Sequence, residues 1–436
     1  MHSLLLVFAL AAPRPVDLTE ALKLAAAQNP ALAAARADAA VLQATVRRAS
    51  SAWQPELIAS GSFDHTSAPQ FLNYGQFAGL VGGVYGLTPK NPGAIPAPLA
   101  LQAPNSTYAT LTLSQPFFSP QGLFGLQPAE SAASAAALGA EATREQVLLG
   151  VARAYLGVLG LEDLSRAAAD AEAVSRRREA DAQARLDAGS GTPIALLRAQ
   201  GDTLRAHSQL EALRAQREGT LALLTAAAGE EIAPRNGGPI AFPVASAEAA
   251  EPWRRTFNVL ATARALAAIE ASLRLDHFLW LPTVGGLARG SYNSNAGFAG
   301  TTTSWDVGVA ITIPLYDRGL RYAAAAEDES RLLAARARLR DATAQARATW
   351  IGARANDEAA GALLAGAEAQ AKVASQAQRQ VEVASRSGAA TNLELSEADA
   401  QRFFADSTVA QARAALNVRR AEVAAAEGQL YRSLEP

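Results

Sequence analysis

Cysteine is absent from the 436-residue chain. Disulfides, thiolate metal sites and a lipid-bearing N-terminal Cys are thereby excluded, although the compartment is not, because exported proteins often lack Cys too. Charge of one sign is lacking as well. The formal net charge is −2, which leaves no basic field of the kind that binds nucleic acid. The mature chain has no uninterrupted apolar run of roughly 18 residues, so no transmembrane helix is expected, and a membrane-crossing form has to be a closed β-barrel. There is no Gly-x-Ser-x-Gly elbow, no His-Glu-x-x-His pair and no Walker A loop. The histidines His2, His65, His207 and His277 are scattered and read as solvated or packing residues. No catalytic residue, metal or cofactor is expected.

What is present begins with MHSLLLVFALAAP. The apolar run Leu4–Leu10 and the small-residue site Ala9-Leu10-Ala11 suggest a signal peptide over 1–11, against the alternative of a buried N-terminal segment; the run is preceded by His2 but no Lys or Arg. Length alone suggests about three ordinary domains, yet the chain repeats one plan twice. Trp53-Gln-Pro-Glu-Leu leads to Gly61-Ser-Phe63, as Trp280-Leu-Pro-Thr-Val leads to Gly290-Ser-Tyr292. LTLSQPFFSPQG (111–122) matches VAITIPLYDRG (309–319), and AGSGTPIALLRAQ (188–200) matches SGAATNLELSEAD (387–399). The Gly/Pro-rich stretch 234–246 joins the copies, so residues 12–436 read as one domain of two repeats, about 16–243 and 244–436.

Each copy reads as helix, strand, loop, strand, long helix, tight turn, helix. The opening helices are expected at about Leu18–Ala52 and Pro252–Leu279. Glu56–His65 and Thr283–Asn293 form first strands, Thr107–Phe117 and Trp305–Leu315 second strands, each near the ten residues that a tilted membrane strand needs. On the last, Val307, Val309, Ile311, Ile313 and Leu315 share one face, with Asp306, Gly308, Ala310 and Thr312 on the other. A soluble β-sandwich gives the same alternation, so both remain open on strand pattern alone. The loop Thr66–Ser106 is long and Gly/Pro-rich, whereas Ser294–Ser304 is short.

Helices Phe124–Asp187 and Leu320–Arg386 follow, the second about 100 Å long if straight. Each stops at a glycine, Gly189 or Gly388, and restarts after a threonine: Thr192-Pro193 places Pro at the first helical position, and Thr391 with Glu394 spells a capping box. The return helices run to about Ala228 and Leu430. Helices of this length need neighbours from the second copy or from other chains. The acidic run Glu327-Asp328-Glu329 reads as a charged helix face.

With VDLTEALKLAAAQNPALAAARADA (16–39), LSQPFFSPQG (113–122), IPLYDRGLR (313–321) and the two Gly-to-Thr turns on view, the chain resembles the TolC-type outer-membrane efflux proteins over nearly its whole mature length. The resemblance implies an α+β membrane protein: a homotrimer in the bacterial outer membrane, four strands per chain in a shared 12-stranded barrel, and long helical hairpins in the periplasm. It implies a passive export duct among outer-membrane lipid, coupled through a periplasmic adaptor to an inner-membrane transporter. Lacking Cys, the chain falls with the members that carry no lipid anchor. A periplasmic coiled-coil scaffold or adaptor without a barrel is the competing reading, disfavoured by two strand pairs with lipid-compatible faces.

The resemblance also assigns sites. The turns Gly189-Ser190-Gly191-Thr192 and Ser387-Gly388-Ala389-Ala390-Thr391 correspond to tips that dock the adaptor; helix caps without a partner are the alternative. Glu394 and Glu397, three apart on one helix face, correspond to acidic positions at the closed end of the tunnel, where the family pattern has Asp. The matching positions of the first copy are Ala195 and Arg198, and Arg198 is placed to pair with Glu397. Glu394 also completes a cap, and Glu397 alternatively faces solvent. Trp53 and Trp280, each just before a Pro and a first strand, are expected at the membrane boundary or packed in a helix-to-strand corner.

Overall fold

The computed structural model describes residues 14–72, 99–235, 242, 251–295 and 301–430. They divide into two compact units: Met1–Leu42, Ala132–Leu266 and Ala334–Pro436 make one, Gln43–Ser131 and Ala267–Leu333 the other. The expected signal peptide and the greater part of the joining stretch 234–246 lie outside the described residues.

The chain opens with strand β1 (Arg14–Val16) and helix α1 (Leu18–Gln28), capped by the Asp17 carboxylate on the Glu20 N–H at 2.7 Å. The sequence predicts a single helix to Ala52, but α2 starts afresh at Pro30 and ends at Ser50. Proline disfavours the helical backbone in the residue before it, and Asn29 is extended, with ψ 124°. Its Oδ1 then accepts from the N–H of Ala31 (2.9 Å) and Leu32 (3.2 Å), so the residue that breaks one helix caps the next. In the second copy the opening residues Pro252–Arg255 form a 3-10 turn, and helix α6 spans Phe257–Phe278.

In the first unit α1 buries Leu18, Ala21, Leu22 and Ala25, the spacing of one helical stripe. This stripe belongs to a core with Leu148, Val151, Tyr155 and Leu156 of helix α4 (Leu126–Asp187) and Leu224 of α5 (Pro193–Ala228). Strand β6 (Ile232–Pro234) pairs parallel with β1. The buried Tyr155 hydroxyl lies 2.9 and 2.8 Å from the carbonyl oxygens of Val16 and Arg235, pinning that ladder; burial raises its pKa above the usual phenol value. The short helix α3 (Pro120–Phe124) precedes α4, which therefore begins at Leu126 rather than Phe124. Helices α7 (Leu320–Arg386) and α8 (Asn392–Ala426) complete the set. Helix α8 stops short of Leu430, which is nonetheless buried, its N–H bonded to Glu145 at 3.1 Å.

Helices α4 and α8 meet at Gly160. A Cβ built there would fall 2.5 Å from that of Ala414, too close for either backbone to ignore. Gly160→Ala is expected to lower the apparent Tm, because overpacking of about 1–3 kcal/mol outweighs the roughly 1 kcal/mol gain in helix propensity. Gly157→Ala is the control: its Cβ meets only the Thr220 methyl at 3.5 Å, so its Tm holds or rises. Thermal unfolding of the detergent-solubilised protein checks both.

The second unit carries a four-stranded antiparallel sheet in the order β2-β5-β7-β8: Glu56–His65, Asn105–Phe118, Thr283–Asn293 and Thr303–Thr312. Strand β8 ends before Pro314, so Ile313 and Leu315 lie past it; Pro lacks the N–H that a ladder needs. The register of β5 against β7 slips between Pro116 and Phe118 for the same reason. Strands β3 (Gln70–Leu72) and β4 (Leu99–Gln102) also pair antiparallel within the stretch Thr66–Ser106 expected as a loop. On α7, Glu327 and Glu329 face solvent, but Asp328 turns inward, against the expectation of a wholly charged face: it accepts from Ser272 at 2.5 Å and Arg331 at 2.9 Å.

Candidate functional site

The sheet separates its chemistry by face. Register places Leu57, Leu113, Ala288 and Val307 side by side, and Ala59, Leu111, Gly290 and Trp305 in the next such row. Val309 and Ile311 continue this face, and its large apolar side chains are exposed. The opposite face holds Ser60, Thr110, Ser291 and Ser304 in one cross-strand line, bonded Ser60 to Thr110 at 2.6 Å and Ser291 to Ser304 at 2.7 Å. Arg289 stands opposite Asp306 on that face, and its large apolar members are Ile58, Tyr108 and Leu287. Side chains alternate across a strand, so a greasy surface and a wet one are built from one set of residues.

Both helical turns are tight C-caps. Gly189 (φ 72°) and Gly388 (φ 78°) take the left-handed conformation that glycine adopts without penalty. The N–H groups of Ser190 and Gly191 return to the Arg185 carbonyl at 2.9 and 2.8 Å, and that of Ala389 returns to Ala384 at 2.8 Å. Ser190, Thr192, Ser387 and Thr391 are exposed. Thr192 makes no side-chain cap, and Pro193 starts the helix alone.

Thr391 and Glu394 form the complete capping box. The Glu394 N–H donates to the Thr391 hydroxyl at 3.2 Å, and the Thr391 N–H donates to the carboxylate at 2.7 Å, which holds Glu394 below the usual carboxylate range. Glu397 is exposed one turn on, and the intervening Leu395 and the following Ala398 are buried. Arg198 is exposed on α5, and no ion pair joins it to Glu397 among the described residues. Instead, Ser396 donates to Asp202 at 2.8 Å, while Asp399 is held by Arg178 at 3.1 Å and Gln378 at 3.0 Å. Sequence reasoning missed these links, of which those of Asp202 and Arg178 join the two copies, since nothing local marks which acid turns inward.

The tryptophans differ. Trp53 packs in its corner, its indole N–H donating to the Gly122 carbonyl at 2.8 Å, and a Cβ on Gly122 would strike the ring at 2.7 Å. Trp53 keeps 36% of its surface exposed all the same, and Trp280, in the turn before β7, is more exposed at 57%.

The family model described as "Outer membrane efflux protein" matches residues 21–230 and 254–434. No curated protein sequence matches the chain. Among solved structures, the fold is similar to that of VceC from Vibrio cholerae, with TM-score 0.76 and 16% identity over 94% of this chain and 96% of that one. The open state of MtrE from Neisseria gonorrhoeae gives 0.74 and 17% over 98% and 95%, and CmeC from Campylobacter jejuni gives 0.76 and 14% over 94% and 85%. An adaptor without a barrel is therefore set aside. The chain belongs to the outer membrane efflux protein family and is a bacterial outer-membrane efflux channel whose helices extend into the periplasm.

Proposed function

We propose that three copies close one barrel and form a passive duct, opened and supplied by an inner-membrane transporter through a periplasmic adaptor. The observation that carries this is the sheet itself. Its outer strands β2 and β8 each have one edge unpaired among the described residues, and its apolar face is exposed. An open edge is not tolerated in lipid, so β8 of one copy pairs with β2 of the next until the ring closes. Twelve strands leave a lumen; four cannot. On this reading the chain is one domain of two repeats, and Trp53 and Trp280 mark the periplasmic rim.

The tips Gly189–Thr192 and Ser387–Thr391 meet the adaptor's helical hairpin, where small side chains let a second backbone approach. Glu394 and Glu397 line the constriction inside the closed end, and Arg198 pairs with Glu397 when the tips close. Ser190→Trp tests the docking role, because Ser190 is exposed and its side chain gives up only its bond to the Arg185 carbonyl at 3.2 Å. Export in cells making the cognate adaptor and transporter is expected to fall at least tenfold, while the purified variant keeps the mass of three chains by light scattering. Loss of the trimer would mean that the turn serves folding alone.

A further inference from the structure

We propose that the elbow between β8 and α7 is a phospholipid anchor for the inner leaflet of the outer membrane, with Arg318 on the headgroup phosphate. It deepens the barrel reading above and rests on it. The elbow holds three of the most exposed large side chains in the protein: Leu315 at 87%, Tyr316 at 81% and Tyr322 at 77%. They follow directly on β8, whose exposed apolar row ends at Ile311, with Ile313 and Leu315 past the strand and Tyr322 in the first turn of α7. From Thr303 to Thr312 the strand runs about 30 Å, or about 23 Å of height at a tilt near 40°, close to the thickness of the apolar band of an outer-membrane barrel. The elbow that follows therefore stands at the lower edge of that band, and its two tyrosines suit the level where an aromatic ring meets hydrocarbon and its hydroxyl meets water.

Arg318 is the second, independent observation. It is one of two non-glycine residues with positive φ among those described, at 60°, followed by Gly319 at 82°. An L-residue other than Gly, Asn or Asp is unfavourable there, so Arg318 is not a choice for backbone ease. The charges around it are satisfied without it. Asp317 accepts from the N–H groups of Gly319 and Arg321, each at 3.1 Å, and pairs with the Arg321 guanidinium at 3.1 Å. Arg318 is exposed and makes no hydrogen bond or ion pair among the described residues. The first copy turns the same corner through FSPQG (118–122) with no cation, so the fold does not require one. An unpaired guanidinium beside apolar and tyrosyl side chains, on a surface continuous with a lipid face, fits a phosphate ester whose acyl chains lie alongside. A second copy of the chain covering the elbow is the competing occupant.

The cysteine-free chain makes the test clean. A nitroxide is placed on Tyr316→Cys, and separately on Val309→Cys, in trimers held in nanodiscs of phosphatidylethanolamine and phosphatidylglycerol. At both positions the label is expected to be relaxed by oxygen and shielded from an aqueous nickel complex. A label at 316 open to nickel, or closed to both reagents, overturns the anchor, the second result assigning the elbow to the neighbouring chain. If the label at 309 also fails to sense lipid, the barrel reading falls instead. In parallel, Arg318→Gly is expected to lose at least threefold of the phospholipid retained per trimer by native mass spectrometry without a lower Tm, since glycine relieves the left-handed backbone. Unchanged retention, or a fall in Tm without a change in retention, removes the role from Arg318.

Discussion

Lysine in place of Val309 is expected to keep the channel out of the outer membrane, while lysine in place of Gly308 next to it leaves assembly intact. Val309 lies within β8 on the exposed apolar face, opposite Gly286 across the ladder, where the Phe117 ring covers the glycine and offers a charge no polar partner. A lysine on the lipid face near the bilayer midplane costs about 2–4 kcal/mol per chain, and three chains carry it. That total is comparable with the whole stability of many domains, so the folded barrel is not retained. Gly308 projects to the other face, opposite Leu287 and between Asp306 and Ala310, and a Cβ built there meets nothing within 4 Å. Its lysine reaches water in the lumen. The heat-modifiable trimer in outer-membrane fractions checks the contrast. Equal loss from both variants would mean that the two faces are not divided as lipid and lumen.

That contrast was legible in the sequence because period-two alternation depends on local order alone. Val307, Val309 and Ile311 share a face in any extended chain, and the bounds Glu56–His65 and Thr283–Asn293 follow from the prolines and turn residues beside them. The long helices were legible for a similar reason: Gly189 and Gly388 stop them, and Thr391 with Glu394 restarts one. Asn29-Pro30 carried its own break in plain view, but the helical period on both sides obscured it. What could not be read was partnership across the chain. Asp328 and Asp399 look like their solvated neighbours until Ser272, Arg331, Arg178 and Gln378 are brought to them by folding. Trp53 likewise gives no local sign that its N–H is taken by Gly122.

Converting Glu394 and Glu397 together to glutamine is expected to abolish most of the channel's preference for cations and its block by multivalent cations, without loosening the tip. In the closed trimer proposed above, the pair becomes six carboxylates around a narrow opening, and clustered like charges create a field that draws cations in and holds them. Glutamine is the informative replacement because the Glu394 carboxylate has two duties. It accepts the Thr391 N–H and hydroxyl in the capping box, at 2.7 and 2.9 Å, and the amide oxygen of glutamine keeps that contact while removing the charge. Alanine removes both and confuses a loosened helix start with a lost field. The capping bonds also set the pH behaviour. They depress the Glu394 pKa, so its contribution to the cap is present above the unfolded carboxyl's pKa and fades as pH falls through the lower folded value. The capping bonds therefore favour the charged form of Glu394 on acidification. Reversal potentials and magnesium block across single trimers, recorded from neutral to acidic pH, are expected to shift with pH in the wild-type channel and to lie flat in the double variant. Selectivity and block that survive the double change would place the constriction elsewhere on the helices and leave Glu394 as a cap alone.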